Sequence, residues 1–212
     1  MTQNLHKNTG LFVTFEGIDG CGKTTQLERA YDHLTSLGCT VTKLREPGST
    51  PVSEKIRDIL LSKNSSLADT TELLLYEAAR SEITNREIRP LLEAGQIVLC
   101  DRFYDSTTAY QGYGRQLDIA MIKQLHKVAV GEICPDLTVV FDVDLDTAFS
   151  RRGDEPDRLE SQSRAFFERV RRGFLEIAEE ESNRVKVIDA LRSIDEIFAD
   201  VKRLLDQRLG VE

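Results

Sequence analysis

Residues 17–24 carry glycine, lysine and threonine at a spacing that can cradle a polyphosphate. The run Gly17-Ile18-Asp19-Gly20-Cys21-Gly22-Lys23-Thr24 fits the pattern G-x-x-x-x-G-K-[ST], follows an apolar stretch at 11–15 and opens a segment of helical periodicity. Three glycines free the backbone to wrap round an anion, with N–H groups and a helix N-terminus facing its oxygens. Lys23 is predicted to bridge the β- and γ-phosphates as a point charge, and the Thr24 hydroxyl to take a place on Mg²⁺. The expected nucleotide-binding set is Gly17, Ile18, Asp19, Gly20, Cys21, Gly22, Lys23, Thr24 and Thr25. A loop of this kind is shared by switch GTPases, motor ATPases and kinases, so the rest of the chain must decide what becomes of the nucleotide. A guanine-reading N/T-K-x-D run does not occur, which counts against a switch protein.

Three arginines follow predicted strands or face the same edge: Arg45 in REPG, Arg80 in LLLYEAAR and Arg102 in DRF. Two anionic reactants repel, and guanidinium forks can neutralise and align them as charge builds on a moving phosphoryl group. Any one of these arginines alone would read as a solvated surface side chain; beside the phosphate loop they read as an acceptor site.

The elements that must hold these residues alternate in type. Short β-rich runs at 11–15, 40–44, 96–100, 137–143 and 185–189 are separated by helical patterns at 23–37, 71–94, 118–130, 162–180 and 194–208. That order predicts an α/β P-loop NTPase fold: a five-stranded parallel sheet flanked by helices on both faces, with the ligand at the carboxyl ends of the strands. The polar runs after the strands, EGIDGCGKTT, REPGST and DRFYDS, lie at that edge.

At 212 residues the chain is expected to form one domain, preceded by a polar tail at 1–9. Its net charge of −8 argues against a nucleic-acid footprint. No apolar stretch approaches the length of a membrane span, and the expected location is the cytosol. Cys21, Cys39, Cys100 and Cys134 form no CxxC pair and read as reduced thiols. The histidines share no ligand spacing and read as surface or boundary residues.

Taken together, FEGIDGCGKTT, REPGST, LLLYEAAR, IVLCDRFYDSTTAYQGYGR and PDLTVVFDVD resemble the thymidylate kinase family, P-loop enzymes that phosphorylate dTMP to dTDP, over nearly the whole chain. The resemblance implies ATP as phosphoryl donor, Mg²⁺ as cofactor, dTMP as acceptor and a homodimer. It implies that Arg45 and Arg102 hold the acceptor phosphate, Tyr76 stacks on thymine and Arg80 reaches the base edge. Thr107 and Gln111 would read the base, Tyr110 would crowd out a ribose 2′-hydroxyl, and Asp19 would meet the sugar 3′-hydroxyl. Asp101 would join Thr24 near the metal, and Lys23, Arg102 and Asp19 would serve the transfer. A small helical lid over about 150–161 would bring a catalytic arginine, with Arg151, Arg152 and Arg158 as candidates, because the phosphate loop has none. Two positions depart from the family: Cys21, where Ala or Ser is more usual and which could sensitise the loop to thiol reagents, and Ser49, where a second glycine is common.

Overall fold

The five apolar runs become strands β1 (Leu11–Glu16), β2 (Val41–Arg45), β3 (Ile97–Asp101), β4 (Leu137–Asp142) and β5 (Val185–Asp189) in a computed structural model that describes residues 10–151 and 157–211. They pair in the order β2-β3-β1-β4-β5 with every pair parallel, which places the strand before the phosphate loop at the centre. Helices α1 (Lys23–Ser36), α2 (Pro51–Leu61), α3 (Asp69–Ile83), α4 (Arg89–Glu93), α5 (Tyr104–Thr107), α6 (Ile119–Val130), α7 (Leu145–Ser150), α8 (Arg164–Glu180) and α9 (Ile194–Leu209) make the connections.

The pleat of β1 and β3 divides their side chains between two cores. Val13, Phe15, Ile97 and Leu99 join the larger one with α1, α8 and α9, whereas Phe12, Val98 and Cys100 join one closed by Ile83, Ile88 and Phe103. The central strands β1, β3 and β4 are buried along nearly all of their length; β2 and β5, at the edges, are only partly so, because one side of each has no neighbour. A polar ladder crosses the interior as well. The Thr14 and Thr138 hydroxyls lie 2.7 Å apart, and Arg184 grips Asp105 with bonds of 2.7 and 2.8 Å.

Three local features differ from the periodicity reading. The single helix expected over 71–94 is α3, a π-helical turn at Thr84–Ile88, and α4. Pro90 lies in the first turn of α4, where its missing N–H and ring would otherwise break an α-helical ladder. Helix α2 was not anticipated, although its start is encoded: Thr50 accepts from the Ser53 amide at 3.1 Å and Pro51 fills the first helical position. His126 is also not a surface residue. It is buried, with Nδ1 2.9 Å from Glu77 and Nε2 2.9 Å from the Thr108 hydroxyl, so both ring nitrogens are satisfied inside.

Candidate functional site

Beyond Glu16 the chain curls back over 17–22 before entering α1, and the curl requires glycine. At Gly20 the backbone is left-handed, with φ of 87°, and a Cβ would stand 2.2 Å from the Ala148 carbonyl at the end of α7. Gly22, φ 93°, has open space where a Cβ would go and lines the cavity at the mouth of the loop. Ile18 and Cys21 turn their side chains into the core, each 2% exposed, and take no part in lining that cavity. Burial pushes the Cys21 thiol up, which overturns the expected reagent sensitivity: the sulfur is both sealed and protonated.

Lys23 is itself buried, and its ammonium donates to the carbonyls of Gly17 at 3.1 Å and Ile18 at 3.3 Å, with Asp19 Oδ1 at 3.8 Å. Thr24 Oγ1 donates to Asp101 Oδ2 at 3.2 Å, which joins the start of α1 to the end of β3. These two residues border the same cavity as Asp19, Thr25, Arg45 and Arg151. A hydroxyl beside a carboxylate is a donor set of hard oxygens, and it fits a magnesium ion that takes its remaining ligands from phosphate and water. Among the described residues no group of three His, Cys, Asp or Glu could enclose a metal without such help.

A second cavity adjoins the first. Tyr76, Arg80, Thr107, Tyr110 and Gln111 line it, and Asp19, Glu46, Arg57 and Arg102 border both. The sequence therefore places the expected base-reading residues together, at the edge where β1 and β3 end. Arg80 is 1% exposed, and its guanidinium is fixed on every side: Nε to Glu46 at 2.8 Å, Nη1 to Glu77 at 2.7 Å, and Nη2 to the Thr107 hydroxyl at 2.9 Å. Burial raises the pKa of the Tyr76 hydroxyl, so the ring enters the cavity neutral.

Arg102 occupies the junction. Its backbone is left-handed, with φ of 72°, an uncommon and costly conformation for a side-chain residue. Glu16 holds that turn in place, accepting from the Phe103 amide at 2.7 Å and from the Ser106 hydroxyl, which in turn accepts from Arg102 Nη1 at 3.0 Å. Arg102 Nη2 meets Asp19 Oδ1 at 2.6 Å and Nη1 donates to the Gly17 carbonyl at 3.0 Å. Burial opposes its charge, and Asp19, Tyr110 and Asp101 more than offset that, holding the pKa well above the usual value.

Glu16 itself is pushed up to about 8, chiefly by burial and then by the Asp105 charge. A carboxyl that holds its proton in the folded state to that pH loses it near 4.5 when unfolded. The folded state therefore binds the extra proton, and stability falls as pH rises from about 5 to about 8. We expect Glu16→Gln to flatten that part of the Tm-against-pH profile; an unchanged slope would exclude Glu16 as its source.

Arg45 is less committed to the junction than the sequence suggested. Half-exposed, it pairs with Glu54 at 2.9 and 3.0 Å and borders only the phosphate-loop cavity. Ser49 adopts φ of 64° at the position where the family favours glycine, and its hydroxyl meets Arg45 N at 2.9 Å and Arg45 O at 3.1 Å. Arg57, on the unanticipated α2, was missed: it borders both cavities and donates to the Pro47 carbonyl at 2.8 Å. Its sequence signal was the Thr50-Pro51 helix start, which sets residues four and seven positions on along one face.

Of the three lid arginines, Arg151 borders the phosphate-loop cavity. Arg158 points away from it, with Nη1 2.6 Å from Glu72 and Nε donating to the Leu60 carbonyl at 2.7 Å. Arg152 lies outside the described residues, as does the polar tail at 1–9.

Comparison with known proteins agrees with this geometry. The family model described as Thymidylate kinase matches residues 15–201. A thymidylate kinase of Symbiobacterium thermophilum is 43% identical over 201 residues, covering 94% of each chain. One of Syntrophotalea carbinolica is 46% identical over 195 residues, covering 88% of this chain and 90% of its own. The crystal structure of thymidylate kinase from Ehrlichia chaffeensis superposes with a TM-score of 0.77 at 36% identity, over 93% of this chain and 99% of the other. Matched from the central strand to the last helix, with its phosphate loop and second cavity at the same sheet edge, the chain belongs to the thymidylate kinase family.

Proposed function

We propose that the chain transfers the γ-phosphoryl group of ATP to dTMP, giving dTDP and ADP. The observation that carries this reading is the pair of joined cavities: one lined by the phosphate loop, the other by an aromatic ring and amide, hydroxyl and guanidinium groups, with Arg102 and Asp19 between them. The backbone of 17–22 and Lys23 receive the triphosphate, while Arg102 and Arg57 receive the acceptor phosphate. Tyr76 stacks on the base, Thr107 and Gln111 meet its polar edge, and Arg80 holds Thr107 in place. Tyr110 fills the space beside the sugar, and its hydroxyl reaches Asp19 Oδ2 at 3.3 Å. Such a site positions and neutralises two anions for in-line transfer, with no covalent intermediate and no need of a general base, because the acceptor phosphate is already ionised. Thr24 and Asp101 would hold Mg²⁺, which when bound screens charge on the phosphates.

Arg151 is the lid residue we assign to the transferred phosphoryl group, and we assign Arg158 to anchoring the described end of the lid, residues 157–161, against α2 and α3. Arg151→Ala is expected to lower kcat about 10²-fold at unchanged Tm, whereas Arg158→Ala lowers Tm and costs less in turnover; the reverse pattern would exchange their roles. We also read the enzyme as cytosolic and as a homodimer. Val52 and Ile59 on α2 and Leu74 on α3 are large apolar side chains left exposed, which a second copy would cover, and sedimentation at twice the chain mass would support this.

The test of the activity is ADP release with ATP, Mg²⁺ and each nucleoside monophosphate in turn. Turnover with dTMP, with dUMP and the ribose form behind it, is the expected result. Preference for another base would retain the kinase and remove the thymine assignment, and ATP binding with no acceptor-dependent turnover would remove the kinase reading altogether.

A further inference from the structure

Glu72, on α3, is completely buried and lines neither cavity, yet it touches the residues on which the second cavity depends. Its Oε1 accepts from Gln111 Nε2 at 2.8 Å and from Arg115 Nε at 3.2 Å. Its Oε2 accepts from Arg115 Nη2 at 3.1 Å and stands 2.6 Å from Arg158 Nη1. The circuit closes through Gln162, which accepts from Arg115 Nη1 at 2.9 Å and donates to the Arg158 carbonyl at 3.3 Å. Burial alone would raise the carboxyl's pKa, but the hydrogen bonds from Arg115, Gln111 and Arg158 outweigh it and hold Glu72 below its usual range.

A primary amide has two unlike ends, and an ionised carboxylate can only accept. Gln111 must therefore turn its NH₂ towards Glu72, which leaves its Oε1 as the end available to the cavity that the side chain lines. Among the described residues Oε1 has no hydrogen-bond partner. We infer that Glu72 is a positioning residue that fixes the polarity of the base pocket, by locking the Gln111 amide with its acceptor facing the nucleobase. An acceptor at that point suits a pyrimidine whose ring N3 carries a hydrogen, as thymine and uracil do, and opposes cytosine, whose N3 is a lone pair. Reversing one buried donor–acceptor pair leaves two acceptors facing each other, which is costly where water cannot enter. The two arginines explain how an acid can serve here: they keep Glu72 ionised, and a neutral residue would hold no preference between the two ends of the amide. This inference rests on the acceptor-pocket reading given above.

The test is the ratio of kcat/KM for dTMP to kcat/KM for dCMP in the wild type, Glu72→Gln and Gln111→Leu. A residue that merely supports the fold would reduce both substrates together and leave the ratio unchanged. Glu72→Gln presents either an oxygen or an NH₂ to Gln111, so its amide can turn over; the ratio is expected to fall at least about tenfold, as it does in Gln111→Leu. Should Glu72→Gln fail to fold, Glu72→Asp keeps the charge for Arg115 and Arg158 but withdraws it from Gln111, and the same fall is expected. A ratio kept within about twofold in the folded Glu72 variant, while Gln111→Leu loses it, would overturn the inference and leave the pocket reading intact. An unchanged ratio in Gln111→Leu would also overturn it. A wild type with no preference for dTMP would instead remove the reading on which it stands.

Discussion

Replacing Arg102 with lysine is expected to lower kcat/KM for dTMP by about 10²- to 10³-fold while ATP binding is retained. The guanidinium works through two nitrogens at once, one on Asp19 and the other on the Gly17 carbonyl and the Ser106 hydroxyl. Lysine conserves the charge but carries a single nitrogen, so it cannot hold the wall of the phosphate loop and an incoming phosphate together. Asp19 would then face the acceptor phosphate with its cation held less firmly, adding repulsion to the lost contact. Steady-state kinetics with each substrate varied separates the outcomes. A loss confined to KM for ATP would place Arg102 on the donor instead, and a loss below about threefold would remove it from the acceptor site.

Lys23→Met should cost more in kcat, about 10³-fold or beyond, because it removes the one cation carried by the phosphate loop itself. Met has nearly the same length and suits a buried position, so the substitution tests charge rather than volume. The two carbonyls that the ammonium now satisfies, those of Gly17 and Ile18, lose a donor, and a modest drop in Tm is expected alongside. Equal kcat at saturating ATP would show that Lys23 only recruits the nucleotide.

The sheet and its order were readable because each strand is a compact apolar run between helical segments, and parallel pairing follows from that alternation. The phosphate loop was readable for another reason: its residues are contiguous, so spacing and geometry coincide. The site beyond the loop was only partly so. Tyr76 and Arg80 share a helix face and could be placed together from a spacing of four. Arg57 could not, because it reaches the junction only through the packing of α2 against the rest of the domain. Arg158 shows the converse difficulty. A cation in a lid segment reads as catalytic until the carboxylate that receives it is located, and Glu72 lies 86 residues away. His126 was misjudged on the same principle, since its two partners, Glu77 and Thr108, come from separate elements.

Before any nucleotide arrives, Lys23, Arg80 and Arg102 already have oxygen partners within the protein. Substrate entry at this edge is therefore an exchange of partners rather than the filling of bare charge. A small inorganic anion would have to displace Asp19 from Arg102 and the loop carbonyls from Lys23, and it has neither base nor sugar with which to offset that loss. ATP in the phosphate-loop cavity and dTMP in the second each bring such further contacts. Free phosphate and sulfate are therefore expected to compete weakly with the nucleotides at this edge, because the resting site has already paired its cations.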